Sequence, residues 1–311
     1  MAVRALDIGE GDEVVTTPFS FVASANCLLY ERAIPRFVDI EEETFGLDPS
    51  AVEAAIGPRT RGILPVDVFG QPCRIGELAD IAGQHDLRLV EDACEALGSR
   101  IDGRAAGSFG EAAVFAFYPN KQITTGEGGM VVTDDDRLAG IMRSLRNQGR
   151  DEDGTWLRHV RLGWNYRIDE LSAALGVAQV GRLAQLRAGR DRVVAAYRTA
   201  LADLDWLTLP TARAGADVDW FVYVVRVAAG LDRDRMIGQL AARGVPARPY
   251  FSPIHLQPFY RDQLGHREGD FPITERVAAQ TLALPFSSRL TDDDVGRVAD
   301  ALAASAAEQG R

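Results

Sequence analysis

The sequence predicts an α/β protein with a mostly parallel central sheet, helices on both faces, and a smaller α+β C-terminal domain. Three observations lead there. Short apolar strand-like runs alternate with helix-length amphipathic segments through the first half, the pattern of βαβ units. A long helical region over residues 168–201 then interrupts the alternation. Beyond it the pattern resumes in a stretch too short to repeat the first half. At 311 residues the chain exceeds the usual single-domain size. The expected division is a large domain over 1–195 and a small one over 196–311.

The elements read in order as follows. Residues 1–6 form the tail of a helix, so the chain is expected to begin within a domain. Val14-Val15-Thr16 is a strand and 20–30 an apolar helix. Residues 36–40 form a strand, and Asp48-Pro49-Ser50 opens a helix with an acceptor and a proline where a helix start needs them. Residues 62–69 are a buried-type strand. Ile75, Leu78, Ala79 and Ala82 fall on one helix face. Leu87-Arg88-Leu89-Val90 is a strand ending at Glu91-Asp92. Asp134-Asp135-Asp136 caps a helix reaching Arg146. The polar, Gly-containing connection 147–164 is long enough to be functional. Past the long helical region come a strand at 220–227, a helix at 233–243, a strand at 246–250 and helices at 274–283 and 291–306.

Composition narrows the function. Hydrophobic residues make up 46% and charged residues 25%, as in ordinary globular chains. A net charge of −11 disfavours nucleic acid as a partner. The three cysteines, Cys27, Cys73 and Cys94, lack metal-ligand spacing, so no metal site is expected, and they fit a reduced cytoplasmic protein. No apolar run approaches a membrane span, and no secretory leader layout is present.

One stretch organises the chain. Residues 109–129 run as an apolar, aromatic strand, halt at Pro119, present Lys121, and turn on Thr125-Gly126-Glu127-Gly128-Gly129 into a second strand. From Val114 to Ile123 the only charged side chain is Lys121. A desolvated lysine amine at a tight turn suits Schiff-base chemistry, since only the neutral amine attacks a carbonyl. The alternative is a strand-edge lysine reaching for water. Asp92 stands at the carboxyl end of a strand, where open α/β sheets bind ligands, and its carboxylate can hold a cationic ring nitrogen. The alternative there is a turn or helix-capping aspartate.

Val90-Glu91-Asp92-Ala93-Cys94-Glu95-Ala96-Leu97-Gly98-Ser99, Gly107-Ser108-Phe109-Gly110, Phe115-Ala116-Phe117-Tyr118-Pro119-Asn120-Lys121 and the 125–131 glycine loop resemble the DegT/DnrJ/StrS sugar aminotransferases. The likeness extends over Gly11-Asp12-Glu13-Val14-Val15, Thr17-Pro18-Phe19-Ser20-Phe21, 146–150, 163–170 and 254–260. These are pyridoxal-phosphate enzymes of fold type I, the aspartate-aminotransferase fold. By that resemblance Lys121 is the catalytic lysine that holds the cofactor through a Schiff base and shuttles a proton. Asp92 keeps the ring nitrogen protonated, Phe21 stacks on the ring, and Glu95 lies near it. Asn165 reaches across a homodimer to the neighbour's cofactor phosphate. Arg167 lies beside Asn165. Tyr250 and His255 fall in a segment closing over the sugar and are expected to bind it; the alternative for His255 is a satisfied structural histidine.

Two departures accompany the likeness. Family members begin upstream with a helix and a Ser-Gly-Thr phosphate loop, a segment expected to be missing here. The position five before the lysine, often a phosphate-binding serine, is Ala116. The resemblance implies transfer of an amino group, with glutamate as donor, to a keto group of a nucleotide-linked deoxysugar. The wording around Lys121 and 249–255 is most like enzymes of 4-keto-6-deoxy sugars such as perosamine synthases. Cyclitol and aminohydroxybenzoate aminotransferases share these motifs, and a truncated dimerising remnant without catalysis is the reading from another class.

Overall fold

The computed structural model describes residues 1–151 and 155–311. In chain order its helices are α1 (Ala2–Ala5), α2 (Ala23–Leu29), α3 (Pro49–Ala55), α4 (Ile75–Gln84), α5 (Asp136–Arg146), α6 (Glu170–Val180), α7 (Leu183–Ala200), α8 (Arg233–Ala242), α9 (Pro258–Leu264), α10 (Pro272–Gln280) and α11 (Asp292–Ala307). The strands are β1 (Glu13–Thr16), β2 (Ile34–Phe37), β3 (Thr60–Leu64), β4 (Arg88–Asp92), β5 (Arg100–Ile101), β6 (Arg104–Ala105), β7 (Ala112–Ala116), β8 (Gly129–Val132), β9 (Leu207–Thr208), β10 (Ala216–Asp217), β11 (Tyr223–Val227) and β12 (Thr281–Leu284).

The central sheet has six strands in the order β2-β1-β3-β4-β7-β8. Every pairing is parallel except the last, where β8 returns antiparallel beside β7. Neighbouring residues of one strand point to opposite faces, so the sheet needs cover on both. Val14 and Val90 belong to a core with α1, α5 and Leu28 of α2. Val15 and Leu89, one residue away, belong to the other core, under α3 and α4. On α4 the structure buries Ile75, Leu78 and Ala82, as the periodicity marked, together with Ile81, while Ala79 is half-buried.

A second cluster runs from Val193 and Tyr197 on α7 through β11, β12 and α8 to Ala306 on α11. Its sheet is antiparallel, ordered β12-β11-β9. The two bodies are joined tightly: Val277, Ala278 and Ala283 belong to the same core as Val14 and Val90. The loop-borne strand β10 also stays with the first body, pairing with β5.

The structure departs from the sequence reading in four places. The strand expected over 62–69 ends at Leu64, and Val68–Gly70 is a single 3-10 turn. The helical region 168–201 is two helices broken at Gly181-Arg182, where Arg182 leaves the helical conformation at φ −108° and ψ 3°. The segment 246–250 makes one bridge, Arg248 to Ala283, and no strand. The helix expected over 274–283 stops at Gln280, and Thr281–Leu284 pairs with β11 instead. Those four residues are all buried, and sheet pairing gives their backbone partners while two-sided burial satisfies their side chains. The long connection 147–164 includes residues 152–154, which lie outside those described.

Candidate active site

β4 and β7 are parallel neighbours, with Asp92 opposite Val114. Chain continuing from both therefore emerges on the same edge of the sheet. Asp92 is half-buried there, its Oδ2 accepting from Ser24 Oγ at 2.7 Å and its Oδ1 from the Cys94 amide at 3.2 Å. The Ser24 hydroxyl is itself 2.9 Å from that of Ser20. Two ordered hydroxyls and an amide fix the carboxylate without a cation of their own.

After β7 the chain folds through a turn in which the Lys121 amide donates to the Tyr118 carbonyl at 2.9 Å. The glycine loop closes back by Phe117 N–H to Gly128 O and Thr125 N–H to Phe117 O, each 2.9 Å. Gly128 has no alternative, for a Cβ would sit 2.3 Å from Thr125 Oγ1. The loop thereby aims Lys121 inward. Its Nζ donates to Glu95 Oε1 at 3.2 Å and lies 4.4 Å from the centroid of the Phe221 ring.

Lys121 is the only lysine in the chain; the other 33 of the 34 basic side chains are arginine. Arginine serves surface charge and ion pairs as well as lysine does, but its guanidinium does not deprotonate in a protein. The one side-chain amine therefore stands where a carboxylate and an aromatic face receive it.

Glu95 is buried, and that burial raises its carboxyl above the usual range, offset in part by Lys121. Its second oxygen accepts the Phe69 amide at 2.9 Å. Phe69 has φ of +60°, a left-handed conformation that costs a bulky side chain about 1–3 kcal/mol. Bonds at both ends hold it there, since the Phe69 carbonyl accepts from Phe221 N–H at 3.3 Å.

The other predicted residues divide. Tyr250 reaches the site indirectly, its ring 6.1 Å from that of Phe69. Phe21 is 64% exposed, at the lip of a cleft of about 1080 Å3 bordered by Ser20, Tyr30 and Phe259. Lys121 and Asp92 do not line that cleft. Asn165 is exposed on the strap after α5, and Arg167 Nη1 donates to Asn147 Oδ1 at 2.8 Å. His255 has no exposed surface: its Nε2 is 3.0 Å from Glu275 Oε1 and its ring packs 4.7 Å from Phe271. Of the two readings of His255, its burial fits the structural histidine, packed behind the wall rather than facing open space. Ser24, Phe69 and Phe221 were missed by sequence reasoning, Phe221 because it stands 100 positions after Lys121 and nothing in spacing links them.

A parallel sheet with one amine and two carboxylates gathered at its strand ends has the architecture of a cofactor-dependent group-transfer enzyme. The family model described as the DegT/DnrJ/EryC1/StrS aminotransferase family matches residues 1–303. The chain belongs to that family, and it is an aminotransferase. It is 42% identical over 306 residues to GDP-perosamine synthase of Caulobacter vibrioides, covering 97% of this chain and 81% of the relative. It is 36% identical to a UDP-N-acetyl-3-dehydro-alpha-D-glucosamine 3-aminotransferase of Acidithiobacillus ferrooxidans, with 96% and 79% covered. The crystal structure of DesI in the presence of its TDP-sugar product superposes with a TM-score of 0.90 at 36% identity, covering 99% of this chain and 79% of that one. Among the described residues no helix is long and apolar enough to cross a membrane, and no cluster of metal-ligating side chains occurs.

Proposed function

We propose that this chain moves an amino group, with glutamate as donor, onto the keto carbon of a nucleotide-linked deoxysugar, using pyridoxal phosphate held at Lys121. Aminotransferases of this family depend on that cofactor. The observation that carries the reading is the chain's only lysine, inward-facing between Glu95 and Phe221 at the carboxyl ends of β4 and β7.

The residues present suit the ring and aldehyde ends of the group. Asp92, already oriented by Ser24 and the Cys94 amide, would hold the ring nitrogen's proton; Lys121 would bind the aldehyde carbon; Phe21 would lie over the ring face. Bound there, the cofactor supplies a carbonyl that accepts the donor's amino group and an electron-withdrawing ring. Lys121 then carries the proton removed from the donor's Cα and returns it when the sugar's carbon is aminated. Glu95 steadies the Lys121 ammonium when the lysine is free.

At the phosphate end, Ala116 offers no hydroxyl, and the reading assigns that contact to Asn165 of a second copy, with Arg167 and Tyr250 near the sugar nucleotide. A homodimer is supported by α6, none of whose residues is buried although Leu171 is 86% and Val177 76% exposed. The relatives' names span GDP-, UDP- and TDP-sugars, so the nucleotide stays open, while likeness to the perosamine synthase favours a 4-keto-6-deoxyhexose.

The test is spectroscopic. Wild-type protein with added pyridoxal phosphate should gain visible absorbance that glutamate bleaches, and borohydride should fix one label, on Lys121. Lys121→Arg keeps the charge against Glu95 but should give neither signal. Label that persists in the Lys121→Arg protein, or its absence from wild type, refutes the proposal. A panel of keto-sugar nucleotides then selects the acceptor.

A further inference from the structure

Behind Lys121 lies a buried polar network that the reaction itself does not use. Arg190, on α7, is 6% exposed, and Asp219, on the connection from β10 to β11, is 0% exposed. Both Nε and Nη2 of Arg190 donate to Asp219 Oδ1, at 3.1 and 2.7 Å. The third guanidinium nitrogen, Nη1, donates to the backbone carbonyl of Gln122 at 3.1 Å, directly after Lys121. The Gln122 side chain answers by donating to the carbonyls of Glu95 and Asp219, the latter at 3.2 Å.

The backbone of the Asp219 connection is also committed, while Asp219 Oδ2 is buried without a hydrogen-bond partner. Asp219 N–H donates to Ser99 Oγ at 2.8 Å, and that hydroxyl donates to Gly70 O at 2.8 Å. Gly70 admits no side chain, since a Cβ would lie 2.6 Å from Asp219 O and 3.2 Å from Glu95 O. Two residues on, Phe221 bonds Phe69 and places its ring beneath Lys121 Nζ. Thus both chain connections to the second body, α7 and the 217–223 segment, are fastened to the backbone around Lys121 and Glu95.

A buried ion pair is rarely a good source of stability, because desolvation offsets most of the attraction. Its geometric precision is a better reason for its presence. We propose that Arg190 and Asp219 are positioning residues for Lys121: they fix the backbone at Gln122 and the Phe221 ring, and so set where the lysine amine meets the cofactor. The inference rests on Lys121 as the cofactor-bearing lysine.

The experiment uses the full chain and three variants. Arg190→Lys keeps the charge opposite Asp219 but cannot span Asp219 and the Gln122 carbonyl with one planar fork. The paired Arg190→Met with Asp219→Leu removes both charges and leaves none stranded. Lys121→Arg controls for the parent reading. Cofactor affinity and the pH midpoint of the visible absorbance are the readouts, with glutamate KM and kcat alongside.

Arg190→Lys and the double variant should fold, bind pyridoxal phosphate at least 10-fold more weakly, and move the absorbance midpoint by at least half a pH unit. Their kcat should fall more than glutamate KM rises. Wild-type affinity and midpoint in either folded variant overturn the positioning role. Wild type without lysine-dependent absorbance overturns the parent assignment together with it, whereas normal wild type beside normal Arg190 variants overturns this inference alone.

Discussion

Asp39 joins the two bodies of the protein through a helix end, and its removal has a calculable cost. Helix α10 begins at Pro272, which has no amide hydrogen, and its nominal cap Phe271 offers no side-chain acceptor. Asp39, from the chain after β2, replaces that cap. Its Oδ2 accepts from Ile273 N–H at 2.9 Å, and its Oδ1 accepts from Thr274 N–H and Thr274 Oγ1, each at 2.8 Å. Thr274 is fully buried, so Asp39→Ala strands its donors away from water. Losing the cap on the two amides costs about 1 kcal/mol and the stranded Thr274 hydroxyl about 1–3 kcal/mol more, so local stability should drop by about 2–4 kcal/mol. At 1.4 kcal/mol per tenfold, amide hydrogen exchange over 272–284 should accelerate roughly 30- to 700-fold. Asp39→Asn keeps an acceptor and should cost about 1 kcal/mol. Exchange in α11, which packs in the other core, should stay near wild type. Rates over 272–284 within threefold of wild type in Asp39→Ala, or equal losses in Asn and Ala variants, would refute the capping account.

Three further outcomes are expected. Lys121→Arg should melt within a few degrees of wild type by calorimetry while losing transamination entirely; a retained turnover would show that another group does the chemistry. Asp67 is wholly buried, and desolvation followed by repulsion from Glu91 holds its carboxyl well above the usual range. Unfolded, it ionises near pH 4, so the folded chain keeps a proton the unfolded chain has lost, and stability falls as pH rises from there toward the folded value. Thermal melts of Asp67→Asn should therefore gain on wild type between pH 5 and 8, and a constant difference between the two would contradict the assignment. Finally, Leu171→Asp with Val177→Asp on α6 should dissociate the proposed dimer in sedimentation velocity without unfolding the chain, since neither side chain is buried within it.

Much of this protein is legible from its residues. The strand–helix alternation identifies the sheet because buried parallel strands require apolar runs with helices between them. Asp48 and Asp135 announce their helices because capping is local chemistry, and each accepts from amides two or three residues on. Lys121 and Asp92 emerge from their own neighbourhoods, and the solitary lysine is visible by counting. Other features depend on chain segments far apart in sequence. The strand Thr281–Leu284 exists only because β11 is there to pair with it. His255 looks like a site residue until its neighbours Glu275 and Phe271 enclose it. The sequence by itself determined the fold class and singled out Lys121 as the candidate amine, because periodicity, capping and residue type act over a few positions. Tertiary structure alone decided what meets that amine: Glu95 from the loop after β4, the Phe221 ring, and the Arg190–Asp219 pair behind them, since burial and hydrogen-bond partnership arise only once distant segments pack together.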